Sequence, residues 1–376
     1  MELVKQGKQT VKAAGLKLKV GYRQAGRIYA AYQKRGDAGL IHGNVGKESN
    51  RKIKADTRWV VLQAYRERYE DFGPTFAAEK LAEIEGIKVS VSTVRRWLLE
   101  EGLWTRERRS SEYRSRRDRR ESFGELIQFD GSHHRRFEGR GLKCCLITMI
   151  DDATNTRISQ FFEEETTAGA MEVLSLWIGK YGIPQALYCD KKNAFVLTRE
   201  PTDTELLKGI TKPKSHFGKA CGKLGIEVIA ANSPQAKGRV ERNHGLDQDR
   251  LVKELRLAGI STISDANTFL LETYLPKINA KFSKPAKSPK DTHIPLFKID
   301  LKNIFCFEHE RTVTNDYVVR FECRLFQLLK TNRRLPRPKD KVTLRIKLDN
   351  SCEIIWKDKP LLARELTSKK KEGTAA

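Results

Sequence analysis

The chain has 376 residues, with 72 lysines and arginines against 48 acids and a formal net charge of +24. This length suggests two or three domains, and a hydrophobic content of 39% excludes disorder along the whole chain. The longest apolar stretches are far shorter than the ~18 residues that span a bilayer, and the first residues lack the apolar run of a signal peptide. We therefore expect neither membrane insertion nor secretion.

The seven cysteines form no Cys-x-x-Cys pair, and their odd number argues against a full disulfide framework. The seven histidines lack the spacing of a zinc finger. We expect reduced, buried thiols in a cytoplasmic protein.

The positive charge is unevenly distributed along the chain. Residues 1–120 carry a net charge of +13, residues 121–250 carry zero, and residues 251–376 carry +11. This pattern is typical of a protein whose two basic segments bind a polyanion from both sides. The neutral middle segment would then supply chemistry that needs carboxylates.

Residues 1–50 read as short helices with a turn between them. Thr10 can cap a helix that ends near Gly15, and a second helix begins at Tyr22. Its apolar positions share one face, which leaves three polar side chains outward as a major-groove helix requires: Arg23, Gln24 and Arg27. We predict a first helix-turn-helix DNA-binding unit here.

Residues 51–104 predict a second helix-turn-helix unit. An amphipathic helix covers 59–69, a second helix capped by Thr75 covers 76–85, and a third begins near Thr93. Arg95 and Arg96 lie near the start of that third helix. An ordinary three-helix bundle with solvated arginines is the alternative, and the basic charge favours DNA binding.

Residues 105–121 predict an exposed, arginine-rich linker. The stretch 105–120 holds eight arginines and no aliphatic residue, so it has no face that could pack into a core. We expect it to follow DNA phosphates through Arg106, Arg108, Arg109, Arg114, Arg116 and Arg117.

The remaining chain predicts two further domains and a tail. Residues 122–285 alternate strand and helix patterns in the order β-β-β-α-β-α-β-α, which predicts a mixed sheet covered by helices. The third strand is predicted at 157–162, the helix after it at 167–181 and the fourth strand at 186–189. Residues 295–365 read as short strands separated by turns, the first at 312–320, which predicts a small basic β-barrel. Residues 366–376 are expected to be a disordered tail.

Two aspartates follow apolar runs in the middle domain. Asp130 ends the first predicted strand, and Asp190 follows the fourth. The first and fourth strands can be neighbours in this order, which would place both acids side by side. Two carboxylates that close repel each other unless a cation lies between them, and all-oxygen sites suit Mg²⁺.

Glu241 is the third candidate, in the first turns of the last predicted helix. Lys237, Arg239 and Arg242 occupy positions expected to face outward, where they would hold a nucleic-acid backbone. Two metal ions would activate the attacking oxygen and stabilise the leaving oxygen in phosphoryl transfer.

Three unrelated acids at strand ends and on a helix are the alternative interpretation. Asp151 and Asp152 form a rival pair, although their position before Ala153-Thr154-Asn155 is typical of a turn. Asp247 and Asp249 are also rivals, and helical rotation gives at most one of them the face of Glu241. Neighbouring His133 and His134 are expected to be exposed.

The three acids and their contexts resemble the DDE transposase and retroviral-integrase superfamily. The contexts are Leu-Ile-Gln-Phe-Asp-Gly-Ser at Asp130, Leu-Tyr-Cys-Asp-Lys at Asp190, and Asn-Ser-Pro-Gln-Ala-Lys-Gly-Arg-Val-Glu-Arg-Asn at Glu241. With Phe-Gly-Pro-Thr at 72–75 and the stretch 252–260, the chain looks like the ISNCY-type bacterial insertion-sequence transposases.

This resemblance implies a ribonuclease-H-like core, with Asp130, Asp190 and Glu241 as a catalytic, metal-binding triad. It also implies double-stranded DNA partners (terminal inverted repeats and target DNA), a homodimer or higher oligomer, and two Mg²⁺ ions replaceable by Mn²⁺. Asp190 and Glu241 are 51 positions apart, more than in compact members, which implies an insertion at about 198–213.

The resemblance predicts an enzyme in the bacterial cytoplasm, associated with the nucleoid. It would nick element ends and join the freed 3′-OH to target DNA. A non-catalytic DNA-binding regulator derived from a transposase and a metal nuclease without strand transfer are the alternatives. A general RNA binder is disfavoured because the sequence lacks an aromatic-rich strand motif.

Overall fold

The structure is a computed structural model that describes residues 1–366 except 43, 47–52, 107–117, 191–194, 196, 198, 208, 210 and 231–237. The chain divides into two compact units, residues 1–109 and 110–376. In the part that the structure describes, no helix is both long enough and apolar enough to cross a membrane. All seven cysteines are free thiols, and five of them are buried, as expected.

The N-terminal unit begins with three helices: α1 Glu2–Lys5, α2 Val11–Lys17 and α3 Tyr22–Arg35. Thr10 caps α2 as predicted, because its hydroxyl accepts a hydrogen bond from the Ala13 N–H at 3.2 Å. Helices α2 and α3 meet where Gly15 faces Ala25, and a side chain at position 15 would collide with the Ala25 methyl group. A short 3₁₀ helix, Gly36–Leu40, follows α3.

The same unit continues with α4 Ala55–Arg68, α5 Pro74–Glu83 and α6 Val91–Glu100. Their core includes a stacked pair of rings, Phe72 and Phe76, and the buried Trp97. The predicted cap at Thr75 is wrong: α5 begins one residue earlier at Pro74, whose fixed φ suits the first helical position, so Thr75 lies inside the helix. Ser90 caps α6 by accepting from the Thr93 N–H.

A five-stranded mixed sheet forms the centre of the second unit, with strand order β3-β2-β1-β4-β5. Its strands are β1 Ile127–His134, β2 Cys144–Asp151, β3 Arg157–Phe162, β4 Ala186–Cys189 and β5 Glu227–Ala230. The first three are antiparallel, and β1, β4 and β5 run parallel. This is the sheet that the predicted ribonuclease-H-like core requires.

Helices cover both faces of this sheet. On one face, α7 Thr167–Tyr181 and α9 His216–Lys223 pack into a core that includes Trp177 and Phe217, and α8 Asp203–Leu207 lies between them in the chain. On the other face lie α10 Gly238–Leu257, α11 Ile263–Phe269, a π-helical turn at Leu270–Tyr274, and α12 Leu275–Phe282. The result is a three-layer α/β domain.

The C-terminal region begins with α13 Leu301–Ile304 and continues as two sheets around one apolar core. One sheet has the order β11-β10-β9-β6, and the other β12-β8-β7. The strands are β6 Cys306–Thr312, β7 Val318–Phe321, β8 Arg324–Leu328, β9 Lys341–Lys347, β10 Cys352–Trp356, β11 Lys359–Leu361 and β12 Ala363–Leu366. The all-β character is confirmed, whereas closure into a barrel stays a prediction. The tail beyond Leu366 lies outside the described residues.

Candidate active site

Asp130 and Asp190 lie at matching positions along two neighbouring strands. Strands β1 and β4 are parallel, with Gln128 opposite Tyr188, and each aspartate lies two residues further along its own strand. The expected neighbourhood of the first and fourth strands is therefore confirmed. Asp190 comes directly after the last residue of β4, and both aspartates are partly exposed.

The prediction that β1 ends at Asp130 is wrong. The antiparallel ladder to β2 continues as far as His134, with Asp130 opposite Thr148. The strand persists because β2 supplies partners for its backbone beyond the point where the parallel pairing to β4 stops. Among the described residues, Asp130 thus lies on a part of β1 that is paired with β2 and not with β4.

Gln128 fixes the start of α10 against β1. Its side chain is fully buried, and its Oε1 accepts a hydrogen bond from the Val240 N–H at 3.3 Å. Because side chains alternate along a strand, Gln128 and Asp130 point to the same face of the sheet, the face that α10 covers. The first turn of α10 is therefore held beside the catalytic candidate on β1.

His244 brings the same helix against Asp130. Its Nε2 lies 3.4 Å from Oδ2 of Asp130, and its side chain is only 9% exposed. Neither ring nitrogen has a hydrogen-bond partner within the described ranges of the chain. Glu241 is three residues before His244, so the two side chains lie on one face of α10. The sequence analysis missed His244, although its spacing from Glu241 was a usable signal.

The three acids lie on three elements: Asp130 is on β1, Asp190 directly follows β4, and Glu241 is in the first turn of α10. The Asp130 side chain is 16% exposed and Glu241 is exposed, so solvent and a phosphate oxygen can reach them. Their carboxylate oxygens do not all lie within 4.8 Å of one another, since the described residues contain a single three-ligand group of that size, at another place. The donor chemistry fits hard divalent cations such as Mg²⁺, which take few protein carboxylates and several waters.

The rival pair Asp151 and Asp152 serves the turn after β2. Both side chains are fully buried. Asp151 accepts hydrogen bonds from the N–H and hydroxyl of Thr154 at 2.7 and 2.8 Å, and burial raises its pKa. Asp152 accepts from the Gln128 amide at 2.7 Å. The interpretation as turn chemistry is confirmed, because protein donors surround these carboxylates.

The other rivals also lie away from the site. Asp247 is 1% exposed and accepts hydrogen bonds from the Arg157 guanidinium at 3.1 Å and the Tyr274 hydroxyl at 2.8 Å. Asp249 is exposed and forms an ion pair with Lys253 one turn along the helix. Asp247 thus stabilises the packing of α10 on β3, and Asp249 is a surface residue.

Arg239 corrects one prediction about the DNA contacts. It was expected to face outward, but its side chain is 15% exposed and its Nη1 lies 3.3 Å from the buried Oδ1 of Asp152. The buried carboxylate attracts the guanidinium inward, where the ion pair connects α10 to the turn after β2. Arg242, three positions later, is exposed as predicted.

The remaining predicted DNA contacts fall into two sets. In the N-terminal unit, the residues on the predicted reading helices and the start of the linker are exposed: Arg23, Gln24, Arg27, Arg95, Arg96 and Arg106. Six others lie outside the described residues: Arg108, Arg109, Arg114, Arg116, Arg117 and Lys237. Exposure is what DNA contact requires, and it leaves the contact itself a prediction.

Comparison with known proteins finds two related sequences. The chain is 39% identical over 320 residues to transposase y4bF of Sinorhizobium fredii, an alignment that covers 84% of this chain and 68% of that protein. It is 29% identical over 370 residues to the transposase for insertion sequence IS1202 of Streptococcus pneumoniae, covering 87% of this chain and 76% of that one. No protein-family model matches the chain.

Solved structures with local similarity are retroviral integrases. The catalytic core domain of HTLV-2 integrase, in complex with magnesium, matches 40% of this chain and 85% of its own, with 19% identity and a TM-score of 0.31. An intasome of simian T-cell lymphotropic virus matches 77% of this chain and 99% of its own, with 15% identity and a TM-score of 0.36.

Proposed function

Because this chain belongs to the insertion-sequence transposase family, we propose that it is a DDE-type DNA strand transferase. It would bind the terminal inverted repeats of its element, nick their ends and join each freed 3′-OH to target DNA. Asp130, Asp190 and Glu241 would be the catalytic residues. The observation that supports this assignment best is the matched position of Asp130 and Asp190 on parallel neighbours, with α10 docked beside Asp130.

The three carboxylates would hold two Mg²⁺ ions, for which Mn²⁺ would substitute. When bound, such ions lower the pKa of the attacking water or hydroxyl and stabilise the leaving oxygen of the phosphodiester. In the first step water adds across the P–O3′ bond, which leaves a 3′-OH and a 5′-phosphate. In the second step that 3′-OH attacks a target phosphate and releases a target 3′-OH.

The chain's own residues would fix the geometry of this site. Gln128 anchors the start of α10 to β1, so Glu241 is carried by a helix whose position relative to Asp130 is set by a buried hydrogen bond. His244, beside Asp130, would restrict the rotation of that carboxylate. Pre-set positions matter here because catalysis of phosphoryl transfer rests on orientation and charge neutralisation.

The basic flanks would bring DNA to the acids. The N-terminal unit offers exposed arginines on α3 and α6, and the C-terminal residues 251–376 carry a net charge of +11. Joining two element ends to one target requires two active sites, so we propose a homodimer or larger assembly on paired ends. The proposed transposition reaction would take place on chromosomal DNA in the cytoplasm.

A supercoiled donor plasmid with two inverted-repeat ends tests the proposal when it is incubated with protein, Mg²⁺ and a second, target plasmid. We expect nicked donor and joined donor–target products from the unmodified chain. Asp130→Asn, Asp190→Asn and Glu241→Gln should each abolish both products. Asp249→Asn is the matched control, because it removes an exposed acid from the same helix as Glu241 and should leave both products.

The outcomes separate the alternatives. Nicking without joined products would identify a metal nuclease, and DNA binding with neither product would identify a non-catalytic regulator. Full activity in any of the three triad variants would refute the proposed site.

A salt titration of repeat-end binding tests the DNA contacts. Arg95→Ala and Arg96→Ala should each weaken binding and lower the slope of log affinity against log salt by about 0.9 per lost phosphate contact. Arg66→Ala is the control, because it removes an exposed arginine from α4, outside the predicted reading helix α6. An unchanged slope in both test variants would remove α6 from the DNA interface.

A further inference from the structure

A second cluster of possible metal ligands lies on the face of β1 opposite Asp130. His133 on β1 and Cys145 on β2 are directly opposite each other in the antiparallel ladder, where Cβ atoms are about 4.5–5.5 Å apart. Glu165, just before the capping residue of α7, joins them. One ligand atom from each of the three residues lies within 4.8 Å of the other two.

Gly131 makes room for the carboxylate of this cluster. A Cβ at position 131 would lie 2.5 Å from Cδ of Glu165, closer than real contacts allow. Gly131 and His133 are two residues apart and point to the same face of β1. The Glu165 side chain therefore lies over the strand, in space that any other residue at 131 would fill, and this brings its carboxylate to His133.

The three donors differ from those of the proposed catalytic triad. A thiolate, an imidazole and a carboxylate are ligands of Zn²⁺, and the thiolate disfavours Mg²⁺. Zinc bonds of about 2.0–2.3 Å separate tetrahedral ligands by about 3.3–3.8 Å. The three ligand atoms lie within 4.8 Å of one another, and His133 is exposed, so rotation of its side chain can bring the group to that spacing.

We propose that His133, Cys145 and Glu165 bind one Zn²⁺ ion, with water at the fourth position. Cys145 is fully buried, where a thiolate needs a neighbouring cation. Glu163 and Glu164, both exposed, precede Glu165 and add negative potential at the same place. The ion would connect β1, β2 and the start of α7, three residues beyond Asp130 along β1.

Cobalt replaces zinc in such sites and reports its ligands. The metal-free full-length chain is titrated with Co²⁺ in excess Mg²⁺, which occupies oxygen-only sites. We expect one Co²⁺ per chain, the visible bands of a tetrahedral ion and a thiolate-to-cobalt charge-transfer band. Zn²⁺ should abolish these bands by displacement. It should also raise Tm by several degrees, because a ligand that binds only the folded state stabilises it.

Matched variants identify the ligands. Cys145→Ser should remove the charge-transfer band, and His133→Ala and Glu165→Gln should each weaken Co²⁺ binding at least about tenfold. The neighbouring Cys144→Ser, His134→Ala and Glu164→Gln should retain it, since alternation along the strands turns residues 144 and 134 to the other face.

His133→Ala and Glu165→Gln change side chains that are at least partly exposed, so they keep the test decisive even if Cys145→Ser unfolds the chain. Absence of the charge-transfer band in the unmodified chain would overturn the proposal. An equal loss of Co²⁺ binding in a test variant and in its neighbouring control would also overturn it. Asp130→Asn and Glu241→Gln should leave Co²⁺ binding unchanged, so this site and the catalytic triad succeed or fail separately.

Discussion

Two groups of acidic residues lie along the central sheet and differ in what surrounds them. Asp151, Asp152 and Asp247 have at most 1% exposure, and protein donors bind their oxygens. Asp130, Asp190 and Glu241 lie at the edge where β1, β4 and α10 meet, and all three are at least partly exposed.

The difference between the two groups is one of burial. A buried carboxylate costs free energy unless donors replace its water, and the first group has such donors. Carboxylates that are at least partly exposed keep water that a cation can replace, as the proposed function requires of the second group. Burial thus separates Asp151, Asp152 and Asp247 from the other acids that sequence spacing left in competition.

The largest effect should come from neutralising the second group. Asp130→Asn and Glu241→Gln should slow strand cleavage about a thousandfold, because losing a metal ligand removes several kcal/mol of transition-state stabilisation. Their free energy of unfolding, measured by urea denaturation without divalent metal, should stay the same or rise, since one of several close like charges is removed. A loss of stability without a loss of rate would reverse the assignment.

The opposite result is expected for Asp247→Asn. This change leaves the Arg157 guanidinium, 1% exposed, without its buried anion, and should lower the free energy of unfolding by about 3 kcal/mol. Cleavage per folded molecule should be retained. Glu272→Gln, which removes an exposed acid from the helical layer that α10 shares, should cost less than about 1 kcal/mol. Equal stability of the two variants would contradict the comparison.

Gln128 connects the two groups, and its replacement should have an intermediate effect. Gln128→Leu removes a donor from Asp152 and an acceptor from the Val240 N–H, which should cost about 1–3 kcal/mol of stability. It should also lower the cleavage rate, because α10 carries Glu241. Gln160→Leu is the control, since that amide donates to Glu172 near the surface and its loss should cost about 0.5 kcal/mol or less.

The smallest expected effect is the pH dependence of stability that comes from two histidines outside both acidic groups. His216 on α9 and His309 on β6 have ring centroids 5.3 Å apart, and burial lowers the pKa of each. The unfolded chain therefore takes up protons first as pH falls. The stability from these neutral rings is complete above about pH 6.5 and is lost as pH falls below it.

Differential scanning calorimetry between pH 7.5 and 5 checks this expectation. Tm should fall by about 2 °C more in the unmodified chain than in His309→Phe, which has one fewer titrating ring. The charged groups nearby are Lys219, Glu308, Arg311 and Glu322. Glu308 remains ionised across this range because its pKa is lowered. Identical pH profiles would exclude this contact as a source of acid sensitivity.

Most elements of the central domain could be predicted from periodicity and from turn residues. The helix Thr167–Tyr181 and the strands Arg157–Phe162 and Ala186–Cys189 match the predicted bounds. Strand β6 was missed, because five consecutive polar or charged residues, Glu308 to Thr312, make up most of it and give no apolar alternation. The first C-terminal strand was instead predicted at 312–320, which contains the end of β6, a turn and β7.

The candidate site could be predicted only in part. Apolar runs that end in Asp indicated Asp130 and Asp190, because an acid in an apolar context costs free energy unless a partner compensates for it. The inward position of Arg239 depends on Asp152, 87 positions earlier in the chain, and the cluster at Cys145 depends on a glycine one strand away. Contacts of that kind are fixed by tertiary packing and leave no periodic signal.

The shared register of β1 and β4 determines where this chain can change in length. A single residue inserted between Ile127 and Asp130 would rotate the aspartate to the opposite face of the sheet and turn Gly131 and His133 toward α10. Between Asp190 and Glu241, α9 packs into the core and β5 pairs in register with β4, so changes in length should be tolerated only near the exposed helix α8. Added domains or tags should therefore be tolerated near α8, and deletions of one residue in β1 should not.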